Sequence, residues 1–135
     1  NIPNLMEITL KNLQKKIPIP QAKILKAAKA AFRKLGFLHR GLSIVFVGTK
    51  RMRAVNKKYL NHDHLTDVLT FDLGEAMGEI IICPQVACAQ AQAYQTSTEN
   101  EIILYVIHGI LHLAGFDDHK PKDMLKMRKM EKELL

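Results

Sequence analysis

Two histidines four positions apart, His108 and His112, lie in a strongly apolar segment, and Gly115 followed by Asp117, Asp118 and His119 comes directly after them. On a helix, residues at this spacing project from one face, one turn apart. Two imidazoles so placed can hold one divalent ion. The glycine then turns the chain, and Asp117, Asp118 and His119 follow closely enough to supply a third donor. Three protein ligands leave a coordination position open for water, which is the arrangement of catalytic and not of closed structural sites. The chemistry would be metal-assisted hydrolysis, in which the ion polarises a substrate oxygen and brings the pKa of water down towards ~7. The competing reading, two ordinary core histidines, leaves each imidazole to find polar partners in an apolar setting.

Elements that could position these groups follow from periodicity. Thr98 to Ala114 reads as the clearest helix, with Thr98 and Glu101 as a capping box and Gly115 as its end. Ile102, Ile103, Val106, Ile107, Ile110, Leu111 and Leu113 cover so much of its surface that it should lie at the centre of the fold. Upstream, Leu5 to Leu10 alternates weakly as a first strand, Gln21 to Leu35 has amphipathic helical spacing closed by Gly36, and Leu42 to Val47 reads as a strand. Thr49 to Leu60 is a basic helix, Asn61 to His64 a polar loop, and Val68 to Leu73 and Glu79 to Cys83 are strands joined across Gly74 to Gly78. Pro84 can open a helix through Gln95, and Lys120 to Leu135 is a charged last helix with Met124, Met127, Met130 and Leu134 as its apolar stripe. The order β, α, β, α, β, β and three helices implies an α+β fold, a zincin-like α/β sandwich. It would have a small mixed four-stranded sheet packed with about five helices, the metal-binding helix central.

Length and composition frame this reading. The chain has 135 residues, the size of one domain spanning 1–135, and is 47% hydrophobic, enough for an ordinary core. No apolar run approaches the ~20 residues of a membrane span, and the first residues lack the pattern of a secretory signal. A soluble, intracellular protein is expected. Cys83 and Cys88 make neither a disulfide framework nor a CxxC pair and read as buried small residues. Lys and Arg number 20 against 13 Asp and Glu, a net charge of +7 that favours polyanionic partners, nucleic acid first among them. Arg53, Lys57 and Lys58, with Lys50 and Arg51, concentrate positive charge on the basic helix. His62 and His64 read as solvated loop residues and His39 as surface. No phosphate-binding glycine loop, nucleotide-cofactor fingerprint or Ser/Cys nucleophile pattern is present.

The segment His108 to His119 resembles the signature of the YbeY family, bacterial endoribonucleases that mature ribosomal RNA, with the pattern HGxLHLxGxDH. Asn56 to Tyr59, Thr66 to Phe71 and Gly78 to Ile82 resemble that family's N-x-x-Y, TDVLSF and GDIxI segments, in the same order and spacing. The resemblance implies one zinc ion per chain, hydrolysis of single-stranded RNA, rRNA precursors as substrate, and ribosomes or ribosomal proteins as partners. It also implies a third ligand six residues after the second histidine, where this chain has Asp118 and where the histidine, His119, comes one later. Asp118 preserves the register, and a one-residue bulge would bring in His119. Asp117, or whichever of Asp118 and His119 is not a ligand, is the candidate proton-transfer group. Thr66 and Asp67 either line the site and orient a ligand histidine from behind or cap the turn before their strand. Leu60 stands where the family usually has an RNA-holding arginine, a function that Arg53, Lys57 or Lys58 could assume. Two rival readings remain: a non-catalytic RNA-binding ribosome-assembly factor with a structural metal, and a metalloprotease, for which Gly109 replaces the required glutamate.

Overall fold

The structure, a computed structural model, describes residues 7–36, 40–60 and 66–135. Expectations for His39, for the loop Asn61 to His64 and for the start of the first strand fall outside those residues. The elements run β1 (Glu7–Asn12), α1 (Gln21–Leu35), β2 (Gly41–Phe46), α2 (Thr49–Leu60), β3 (Val68–Gly74), β4 (Met77–Ile82), α3 (Pro84–Tyr94), α4 (Thr98–Leu113) and α5 (Pro121–Leu134). The expected order holds, and β1 continues two residues past the expected Leu10.

The four strands form one mixed sheet in the order β1-β2-β4-β3. β1, β2 and β4 are parallel, and β3 returns antiparallel to β4 as the edge strand. Alternation along β4 decides which helix lies on which face. Ile80 and Ile82 join Ile44 and Phe46 of β2 against α1, α4 and α5, whereas Ile81 joins Leu69 of β3 and Met52 of α2 on the opposite face. Helices therefore cover both faces, as the near-continuous apolar character of β2 and β4 requires.

Local chemistry sets the element ends. Gly36 closes α1 at φ 68°, its N–H donating to the Phe32 carbonyl. Cys83, fully buried, precedes α3 with Pro84 at the first helical turn, while Cys88 is only partly buried. The start of α4 corrects the sequence reading: the cap is Ser97, whose hydroxyl accepts the Asn100 N–H, and Glu101 is taken by the Thr96 hydroxyl. Thr98 is the first helical residue, so the reciprocal Thr98–Glu101 box does not form. In α5, Met127 and Leu134 are buried and Met130 packs at the core's edge, but Met124 is 40% exposed and leaves the expected stripe.

Very close packing joins α4 to β4. A Cβ added at Gly109 would lie 2.7 Å from Ile80 Cδ1 and within 3.1 Å of two further Ile80 atoms, and one added at Gly78 would lie 2.7 Å from Leu113 Cδ1. Ile80 is fully buried and has nowhere to move. Substituting Gly109→Ala would gain about 1 kcal/mol of helix propensity, against an overpacking cost of ~1–3 kcal/mol. The clash should win. Thermal unfolding of Gly109→Ala should show a lower Tm than the parent, and a double-mutant cycle with Ile80→Val should show coupling between the two positions.

Candidate metal centre

The face of α4 about a quarter turn from Gly109 carries the histidines. His108 and His112 turn their rings towards each other, edge to face at 4.6 Å between centroids, with the two Nε2 atoms 3.0 Å apart. Ala114 ends the helix, and Gly115, at φ 100°, reverses the chain with its N–H on the His112 carbonyl. The Phe116 N–H donates to the Leu111 carbonyl. Asp117 then forms an Asx-turn, its Oδ1 accepting the backbone N–H groups of Asp118 and His119. This turn sends Asp118 back to the histidines: its Oδ2 lies 3.3 Å from His108 Nε2 and 3.7 Å from His112 Nε2.

The donor set fits a metal ion. Tetrahedral zinc with bonds of ~2.0–2.1 Å separates its ligand atoms by about 3.3 Å, and the three separations here bracket that value. His108, His112 and Asp118 could therefore hold one divalent ion. His119 is placed differently. Its side chain is 85% exposed, and its Nε2 lies 3.4 Å from Asp117 Oδ1. Asp117, Asp118 and His119 also gather as a second, more exposed donor group that shares Asp118.

One residue of the centre escapes the sequence reading. Glu131 of α5 places Oε2 2.6 Å from His108 Nδ1. A carboxylate only accepts, so Nδ1 carries the hydrogen and Nε2 is the atom left to face Asp118 and His112. Such a carboxylate fixes ring orientation and raises ligand basicity. The available signal was positional: Glu131 lies four residues after Met127 and three before Leu134, on the helix's buried face.

Electrostatics follow the same geometry. Burial pulls the His108 pKa down, but the Glu131 hydrogen bond and charge, with Asp118 and Asp67, outweigh it and leave the pKa raised. Burial and the neighbouring His108 push His112 down, against the attraction of Asp118 and Asp117. Without metal, the pair thus favours one proton on His108, donated across to a neutral His112. The sign is that of a raised base: the charge stabilises the fold at acidic pH, and that gain is lost as pH rises through the raised pKa. Ion binding has the opposite dependence, because the proton must leave. Desolvation pushes the Asp117 pKa up, but its two backbone N–H bonds and the charges of His119 and His112 together outweigh it, and the pKa is lowered.

The remaining expected site residues are distributed around this centre. Asp67, its carbonyl bonded to the Cys83 N–H and its Oδ1 to the Val68 N–H, lines both clefts that reach His108. Thr66 accepts the Asn56 amide through its hydroxyl at 2.8 Å and makes no bond to a histidine among the described residues. One cleft, about 390 Å³, runs between β3 and α4 past Thr70, His108, His112 and Asp118. The other, about 290 Å³, lies towards α5. Tyr105 opens on it, buried, with burial first and then Asp67 and Glu101 driving its pKa far up. Arg53, Lys57 and Lys58 are exposed on α2 and line neither cleft; Lys58 Nζ sits 5.1 Å over the ring of Tyr59. Leu60 is 45% exposed at the end of the same helix.

Fold and donor set together define an α+β protein with a candidate three-ligand metal centre on its central helix. The profile of the family described as Endoribonuclease YbeY matches residues 9–135, and the chain belongs to that family. The Endoribonuclease YbeY of Renibacterium salmoninarum is 33% identical over 139 residues, covering 92% of this chain and 88% of the relative. That of Chlorobium phaeovibrioides is 30% identical, covering 96% and 89%. A solution structure from Thermotoga maritima superposes with a TM-score of 0.61 at 28% identity, covering 96% of this chain and 89% of that one.

Two outcomes test the centre. Titration calorimetry with zinc should give one tight site, abolished by Asp118→Ala and retained by His119→Ala; the reverse result would move the third ligand to His119. Glu131→Ala should weaken the affinity by ~10–100-fold, while Glu133→Ala, on the exposed side of α5, should leave it unchanged.

Proposed function

We propose that this chain is a zinc-dependent endoribonuclease that cuts single-stranded RNA during ribosomal RNA maturation. It would act in the cytoplasm alongside ribosomal proteins or ribosome precursors, with residues 1–135 as one catalytic domain. The observation that carries this reading is the convergence of His108, His112 and Asp118 on the wall of an open cleft, in a chain of the YbeY family. No helix among the described residues is long and apolar enough to cross a membrane.

His108, His112 and Asp118 would hold the ion, and Glu131 would keep the His108 ring aligned. A bound zinc ion supplies Lewis acidity to a phosphoryl oxygen and makes hydroxide accessible near neutral pH. Asp117 and His119, paired at the rim, would form the proton-transfer group, with the carboxylate beside the imidazole. Asp67, facing His108 across both clefts, adds negative charge that favours the cationic state of the centre. Exposed cations along α2, with Tyr59 among them as a stacking surface, would steer the RNA backbone.

The peptidase alternative lacks its base. The position after the first histidine faces Ile80, so a glutamate there would enter the core instead of the cleft. The non-catalytic alternative draws on exposed Leu60, which cannot contact a phosphate.

A labelled single-stranded oligoribonucleotide, the matching duplex and casein, offered in parallel to zinc-loaded protein, separate these readings. Cleavage of the single strand is expected, lost on chelation and restored by zinc, with His108→Ala lowering kcat by roughly a hundredfold or more. RNA binding without cleavage at any zinc concentration would instead favour the assembly-factor reading, and proteolysis of casein the peptidase.

A further inference from the structure

The α5 side of the centre carries a group that neither the motif nor the basic helix accounts for. Arg128 projects into the cleft that also contains His108, Asp118, Glu131, Tyr105 and Met124. Among the residues lining the two clefts at His108, it alone bears a permanent positive charge. Its natural intrahelical partner is occupied: Glu131, three residues on, is committed to His108 Nδ1 at 2.6 Å. Asp118, the other cleft carboxylate on this side, faces the histidines. Among the described residues Arg128 forms no ion pair, and its guanidinium lies 4.0 Å from the Met124 sulfur. Met124, left 40% exposed, is its neighbour one turn back on the same helix face.

An unpaired guanidinium presents five donors in a fixed fork that matches phosphate oxygens. Placed beside three acidic side chains, it has no reason to be retained for solubility alone, since a lysine elsewhere on α5 would serve. We propose that Arg128 forms a phosphate subsite on the α5 wall of the cleft. It would bind a backbone phosphate of the RNA next to the metal centre, the task for which Leu60 is chemically unfit. The cations of α2 lie outside both clefts and give long-range attraction, whereas Arg128 fixes the strand's register at the reacting bond. This inference rests on the nuclease reading above.

The test uses zinc-loaded protein and two probes: a cleavable single-stranded oligoribonucleotide, and its 2′-O-methyl counterpart for equilibrium binding. Arg128→Ala should weaken binding about tenfold and flatten the slope of log affinity against log salt by about 0.7, the value of one phosphate contact on a single strand. Zinc stoichiometry and Tm should be unchanged, which separates a substrate contact from damage to Glu131 or His108. Arg128→Lys should restore the salt slope but only part of the affinity, because an ammonium lacks the fork. Arg51→Ala, a control on α2, should alter the slope without raising KM as far. Wild-type affinity and slope in Arg128→Ala, with the parent protein cleaving RNA, would overturn the subsite while leaving the nuclease reading intact. A parent protein that neither binds nor cleaves RNA would overturn both.

Discussion

The contact on which the centre depends is the near-touching approach of α4 to β4. Two glycines, one on each element, remove the side chains that would hold the backbones apart, so Ile80 fills the groove at Gly109 and Leu113 covers Gly78. A helix seated this deeply cannot rotate without driving a Cβ-bearing neighbour into the sheet. The histidines are therefore aimed by packing on the neighbouring face of their own helix. His108 and His112 leave the surface about a quarter turn from Gly109 in a fixed direction, and the chain needs only a short return to bring a third donor to them.

That return and the brace from α5 are solved by different means. The Asp117 Asx-turn is entirely local, using the backbone N–H groups of Asp118 and His119 in the loop just past α4. The brace is tertiary: Glu131 reaches His108 only because Met127 and Leu134 anchor α5 on the common core. Division of labour results. Asp117 keeps Asp118 turned inward, Glu131 keeps one imidazole nitrogen occupied so that the other stays available, and neither needs to touch an ion. The price is a concentration of negative charge at one end of α4, offset by the raised basicity of His108 and by Arg128.

Much of this was legible in sequence because it depends on short-range periodicity. The i, i+4 histidines, the saturated apolar surface of α4 and the β-branched runs of β2 and β4 each report their structure within one segment. The third donor was readable only as an alternative, since one residue of slippage in a loop decides between neighbours. Glu131 was hidden for another reason. It is 23 residues from its partner in a helix full of charge, and no local pattern distinguishes a carboxylate aimed inward from its solvated neighbours. The helix start at Thr98 was legible but its cap was misplaced by one residue, because Thr96, Ser97 and Thr98 are all competent caps and backbone geometry chose among them. Thr66 shows the same limit: its hydroxyl was free to serve a histidine or the neighbouring helix, and Asn56 took it.

The β3–β4 connection has a consequence for the order in which the molecule assembles. Glu75 and Ala76 both adopt left-handed backbone, at φ 53° and 61°, giving a tight reversal whose twist matches the strands it joins. It is the shortest closure in the sheet, since the parallel pairings β1–β2 and β2–β4 must each wait for an intervening helix to fold back. Loop-closure entropy makes the hairpin the first cheap contact available to the nascent sheet. Once it zips, Asp67 stands at the mouth of the future cleft and Ile80 at the seat that α4 will occupy. The seat for α4 is thus laid by the pairing with the lowest closure cost in the sheet, from residues that precede the histidines in the chain.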